Sequence, residues 1–327
     1  MTVTPDQSST RTTTTDGGSI RSGSRWVDTE ALMRIKSLEL RARMAMDGYV
    51  RGLHRSVRHG FSVEFSEYRN YVMGDDPRYM DWKVFARTDR YYVRRFEDET
   101  NLRCMFVLDV SRSMDFGSGS YTKADYARTL IATLSYYLTL RRDAVGLITT
   151  DEQHREMLPS RYRPGHWRRL LMTLERTSQT PHTNLVAPLD EVARLVPPRT
   201  TVVVVSDFLT PLEQLARPLS LLAARRQSVQ LFWVLDPAER DLSLGKAAQY
   251  EDMETGERVY VRPDLQREAY QRRLAEHEAA LRNLADTRGI ALHAVSTAHP
   301  LDGVLMEFVN RFGNYGGARG TRTRGAR

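Results

Sequence analysis

The chain has 327 residues, a formal net charge of +7, 41% hydrophobic residues and a single cysteine. That length buries a sizeable core in one large domain with an elaboration or in two modest ones, and a lone Cys104 excludes an internal disulfide framework. No apolar run approaches the roughly 20 residues that span a bilayer, and the Thr-, Ser- and Gly-rich N-terminus lacks the apolar centre of a signal peptide, so cytoplasmic residence is expected.

The positive charge is concentrated at the ends. Residues 311–327 carry Arg311, Arg319, Arg322, Arg324 and Arg327 with no acid, and in the first 25 residues Arg11, Arg21 and Arg25 outnumber Asp6 and Asp16. The body is close to neutral, so nucleic-acid binding is not expected of it. The Gly-rich basic tail, 313–327, reads as solvated and disordered, as does the polar segment 1–25.

In chain order, Leu32, Ile35, Leu38, Leu40 and Met44 predict one amphipathic helix from Asp28 to Asp47. Residues 26–100 continue with a segment of mixed charge and aromatics, broken at Gly60, Gly74 and Pro77, that alternates like a strand only near Tyr91–Arg94. From residue 101 to 312 strands and helices alternate, which predicts an α/β domain: a mainly parallel sheet with helices on both faces. The strands are Cys104–Leu108, Ala144–Thr149, Thr201–Ser206, Val229–Leu235 and Ile290–Val295. The helices are Lys123–Leu140, His166–Leu174, Leu185–Val196, Leu212–Arg226, Leu265–Thr287 and Leu301–Phe312. Tyr250–Val261 predicts a hairpin inserted at the edge, and Cys104 reads as a small core residue.

Ligands of open parallel sheets gather at the carboxyl ends of the strands. Asp109-Val110-Ser111-Arg112-Ser113 follows the first strand, and Asp-x-Ser-x-Ser turns a carboxylate and two hydroxyls toward one point, as a hard cation such as magnesium requires. Thr183 follows a turn-rich stretch and Asp207 ends a second apolar strand. A competing reading has Asp109 and Asp207 capping adjacent turns, with Ser111 and Ser113 bonding nearby backbone. His154, His166 and His182 lack zinc spacing, and the chain contains no phosphate loop, Gly-x-Gly-x-x-Gly fingerprint or Gly-x-Ser-x-Gly elbow. Arg161, Arg163, Arg168 and Arg169 read as a solvated face.

The order Asp109, Ser111, Ser113, Thr183, Asp207 resembles the metal-ion-dependent adhesion site of von Willebrand factor A domains. That resemblance implies a von Willebrand A-like sheet. Ser111, Ser113 and Thr183 would supply hydroxyl oxygens to magnesium (or manganese or calcium), and Asp109 and Asp207 would hold the ion directly or through water. A second set of residues is more specific. Glu67-Tyr68-Arg69-Asn70-Tyr71-Val72-Met73-Gly74-Asp75-Asp76-Pro77-Arg78, then Asp81-Trp82-Lys83, Ala86-Arg87-Thr88, Tyr92–Glu99, Asp143–Leu147 and Ser206-Asp207, resembles the domain-of-unknown-function 58 family of bacterial von Willebrand A-like proteins. The segment from Arg69 to Arg87 reads as a structural clasp, with a docking surface for an ATPase as the alternative. The family resemblance implies a non-enzymatic, metal-dependent interaction module that works with a MoxR-type AAA ATPase on a client protein. Two other readings stand beside it: a metal-dependent phosphoester hydrolase, and nucleic-acid binding through the basic tail.

Overall fold

The computed structural model describes residues 28–56, 68–70, 85–87, 90–94, 102–150, 157–176, 185–243, 248–251 and 258–317. Two helices, α1 (Thr29–Met33) and α2 (Leu38–Ser56), come first, and an antiparallel pair follows, β1 (Tyr68–Asn70) with β2 (Tyr92–Arg94). The alternating region runs β3 (Arg103–Leu108), a 3-10 turn at Arg112–Asp115, α3 (Lys123–Leu140), β4 (Ala144–Thr149), β5 (Met157–Arg161) and α4 (His166–Arg176). It continues through α5 (Val186–Leu195), β6 (Thr201–Ser206), α6 (Leu212–Ala224) and β7 (Ser228–Leu235). Then come α7 (Pro237–Asp241), β8 (Ala248–Glu251), β9 (Arg258–Val261), α8 (Pro263–Asp286), β10 (Ala291–Ser296) and α9 (Leu301–Gly317).

The main sheet has six strands in the order β10-β7-β6-β3-β4-β5. All its pairings are parallel except β4 with β5, so the expected α/β class with a mainly parallel sheet is borne out. Because side chains alternate across a strand, each strand feeds two cores. Cys104, Phe106, Leu108, Val203 and Val205 pack with apolar residues of α2, α3, α4 and α9, among them Ala42, Leu130, Leu170 and Leu305. Met105, Val107, Val202 and Val204 pack on the opposite face with Leu189 of α5, Leu219 of α6 and Leu281 of α8. Both faces are covered, which explains why β3 and β6 read as continuous apolar runs.

The structure departs from the sequence reading in several places, among them the unforeseen strand β1 and short helix α7. The single helix expected over Asp28–Asp47 is two: Arg34 caps α1, and Ser37 Oγ accepts from Leu40 N at 3.3 Å to start α2, which then runs through Gly48 to Ser56. Strand β5 was not foreseen, because Met157–Arg161 contains Pro159 and little alternation; it survives as an antiparallel edge strand, where a missing donor is tolerated. The hairpin β8–β9 forms, but as a separate two-stranded sheet rather than as an addition to the main sheet's edge. Helix α9 extends past Phe312 to Gly317. Cys104 is fully buried, and burial pushes its thiol well up, as suits an inert core residue. No described helix is long and apolar enough to cross a membrane.

Between β4 and β5 the backbones approach closely at a register shift between Val145 and Leu147. A Cβ on Gly146 would lie 2.6 Å from Ser160 N and 2.7 Å from Leu158 O, so glycine is required there by space. Gly146→Ala should destabilise the protein by about 1–3 kcal/mol, the usual cost of forcing extra volume into a packed site, measured by urea unfolding.

Asp143, at the start of β4, is buried and accepts from Leu102 N at 2.9 Å. Burial raises its carboxyl from the ordinary 3.8 to about 6, against the opposing pull of the Leu102 hydrogen bond and Arg141. Between those values the folded state keeps a proton that the unfolded chain has lost. The contribution of Asp143 to stability is therefore fully present below about pH 4 and falls as pH rises to about 6. The stability of the wild type minus that of Asp143→Asn, from urea midpoints at each pH, should decline across that window.

Candidate metal centre

The parallel register of β3 and β6 pairs Leu108 with Val205, so Asp109 and Ser206 leave the sheet side by side at its carboxyl edge. Asp109 N donates to Val205 O at 3.0 Å, which fixes the backbone at that point. The Asp109 carboxylate is buried and held from three directions. Ser206 Oγ donates to Oδ2 at 2.5 Å, Ser111 N to Oδ1 at 2.9 Å, and Thr150 Oγ1, just past β4, to Oδ1 at 3.3 Å. The Ser111 contact closes an Asx turn, which points the following 3-10 turn back toward the edge. There Ser111 Oγ and Ser113 Oγ lie 2.9 Å apart.

Asp207 follows Ser206 and is 1% exposed. The next residue, Phe208, has φ 49, a left-handed conformation that bulky side chains rarely adopt and that costs about 1–3 kcal/mol. The turn is held by Phe208 N donating to Ser206 Oγ at 2.8 Å and by Trp233 Nε1 donating to Asp207 O at 2.9 Å. It sends Phe208 into the core and leaves Asp207 facing the N-terminus of α3. That terminus carries a capping box, Thr122 with Asp125, and its first residue is Lys123. Lys123 is 0% exposed, and its Nζ donates to Asp207 Oδ2 at 2.8 Å and to Glu239 Oε1 at 2.7 Å.

The electrostatics follow from this crowding. Burial, and then the neighbouring Asp207 charge, raise the Asp109 carboxyl, while its hydrogen bonds from Ser206 and Ser111 pull the other way. Burial pushes the Lys123 ammonium down, but Asp207 and Glu239 outweigh it and leave it above the ordinary lysine value. The two carboxylates therefore favour the charged form of buried Lys123. Glu239 is raised, chiefly by burial.

The donor set suits a hard divalent ion. Magnesium holds oxygens at about 2.0–2.1 Å in an octahedral array, which places neighbouring ligand oxygens about 3 Å apart. Ser111 Oγ and Ser113 Oγ share a hydrogen bond at 2.9 Å, a separation that two such ligand oxygens would also have. The longer bonds of calcium would spread the oxygens further. Among the described residues no group of three or more His, Cys, Asp or Glu side chains could hold a metal, so an ion here would depend on the hydroxyls.

A family model described as "Protein of unknown function DUF58" matches residues 67–280. The chain belongs to the DUF58 family. The matched region begins at Glu67, where the Glu67–Arg78 signature begins, and the family expected from that signature is the one found. Similar curated sequences include the uncharacterized proteins Rv1480 of Mycobacterium tuberculosis and Mb1516 of Mycobacterium bovis, each 29% identical over 287 residues, covering 86% of this chain and 90% of the relative. Similar solved structures include BatB from Bacteroides thetaiotaomicron, with a TM-score of 0.46 and 15% identity over 65% of this chain and 99% of that one. Another is the SpRpn10 VWA domain, with a TM-score of 0.38 and 12% identity over 62% and 93%.

Of the five expected metal residues in this DUF58 chain, Asp109, Ser111, Ser113 and Asp207 share the carboxyl edge of β3 and β6; Thr183 lies outside the described residues. His154, His182 and the whole of Asp75–Lys83 in the signature also lie outside them. His166 is buried with Nε2 2.7 Å from Val145 O. Arg161, Arg163, Arg168 and Arg169 are all exposed. Sequence reasoning missed Lys123, Glu239, Thr150 and the side-chain role of Ser206. Ser206 and Thr150 carried a signal, each being a hydroxyl residue at a strand's carboxyl end. Lys123 carried only its place as the first residue of a helix.

Ser206→Ala removes one hydrogen bond to the buried Asp109 carboxylate and one from Phe208 N. A loss of about 2–3 kcal/mol in unfolding free energy is expected from urea denaturation, the range for hydrogen bonds to charged groups.

Proposed function

We propose that this protein is a non-enzymatic, metal-ion-dependent interaction module of the cytoplasm, in which Asp109, Ser111, Ser113 and Asp207, with Thr183, hold magnesium. The observation that carries the reading is the convergence of two mutually hydrogen-bonded hydroxyls and two buried carboxylates on one sheet edge. When bound, the ion would offer an open coordination position to an acidic side chain of a partner, because so few carboxylates surround it. The chain's own residues orient the site. Ser206 and Thr150 fix Asp109, and the turn at Phe208 fixes Asp207.

The non-enzymatic part of the proposal is supported by how these groups are engaged. Asp109 already accepts three hydrogen bonds, and Lys123 is held between two carboxylates, so neither is free to act as a base or nucleophile. The partner we propose, from the DUF58 signature, is a MoxR-type AAA ATPase, acting with this module in assembly or activation of a client complex.

Calorimetric titration with magnesium and manganese should give saturable heat for the wild type and none for Asp109→Ala or Ser111→Ala. A MoxR-type ATPase should be retained on the immobilised wild type with the ion and released by chelator. Turnover of a generic phosphoester that disappears in Asp109→Ala would sink the proposal in favour of a hydrolase.

A further inference from the structure

Lys123 is placed where a lysine is least favoured. It opens helix α3, where the helix dipole already presents positive charge, and it is buried completely. A buried ammonium is stable only when paired, and its two partners come from separate elements: Asp207 after β6 and Glu239 on α7. Glu239 is itself fixed by a capping box, donating nothing and accepting from Asp236 N at 3.0 Å. One of those partners, Asp207, is an expected ligand of the ion. The ammonium thus stands on the same carboxylate that a divalent cation would use.

We infer that Lys123 is the site's resident counter-cation and sets its divalent-ion affinity: an ion at Asp207 must share that carboxylate with the ammonium already bound to its Oδ2. The inference rests on the metal-dependent reading above and adds the residue that controls it. The repulsion between ammonium and ion at close range, together with the contest for Asp207, weakens binding. Glu239 works in the opposite sense, by offsetting the ammonium's charge and drawing it away from Asp207.

The test is manganese titration by calorimetry into the full-length wild type, Lys123→Met, Glu239→Gln and the double variant, each confirmed folded by circular dichroism. The double variant removes one charge of each sign, so it keeps the net charge of the cluster and decides the matter if Lys123→Met does not fold. Lys123→Met and the double variant should bind at least about tenfold tighter than the wild type, and Glu239→Gln several-fold weaker, consistent with removing a like charge or an opposite one near the ion. Binding in the two Lys123 variants with a silent wild type gives the same support. Wild-type affinity retained in the folded Lys123 variants overturns this inference and leaves the metal reading intact, as does a shift of Lys123→Met and Glu239→Gln in the same direction. No heat in any of the four proteins overturns both.

Discussion

Two carboxylates leaving adjacent buried strands cannot share a low-dielectric corner without a cation, and most of the local architecture can be understood as a solution to that problem. The β3–β6 register puts Asp109 beside Ser206, and the left-handed turn at Phe208 turns Asp207 toward α3. Lys123 then supplies the positive charge, and the cap of α7 supplies the second carboxylate that holds it. Desolvation penalises every one of these charges, so removing any single member strands the others.

The loop that carries the candidate ligands is tied down at several points beyond the charged cluster. Ser118 donates through N and Oγ to Asp236 at the end of β7, Tyr121 OH donates to Thr297 O, and Tyr126 OH donates to His299 O past β10. The carboxyl ends of β3, β6, β7 and β10 are thereby joined across the sheet. A site held on rigid elements in this way keeps its donor geometry before any ligand arrives, which lowers the ordering cost of binding.

The fold class and the strand and helix order were legible because they depend on periodicity. Buried parallel strands read as apolar runs, and Lys123–Leu140, Ala144–Thr149 and Thr201–Ser206 have the same ends in sequence and structure. What escaped depends on tertiary context. An edge strand such as Met157–Arg161 is held by its neighbour rather than by its own pattern, and the break at Arg34–Ser37 depends on a cap contact that competes with a continuous apolar stripe. Asp109, Ser111, Ser113 and Asp207 could be read because they follow strand ends. Lys123 could not, since a lysine at a helix start is ordinarily a solvent-facing residue, and only the position of Glu239, more than a hundred residues away, makes its burial possible.

The presence of Lys123 also bears on what kind of metal site this would be. A structural metal supplies folding energy, and its site is unbalanced without it. Here an internal ammonium already partners Asp207 and Glu239, and Asp109 is satisfied by hydroxyl and amide donors, so the folded state does not need an ion to hold the edge together. An ion that is dispensable for folding is free to respond to its surroundings. In the proposed reading its occupancy would depend on whatever else favours the positive site, and a partner's carboxylate that met the ion would favour the loaded form over the lysine-held one. In the proposed reading the ion and an acidic partner would bind cooperatively, each raising the affinity of the other by the same factor.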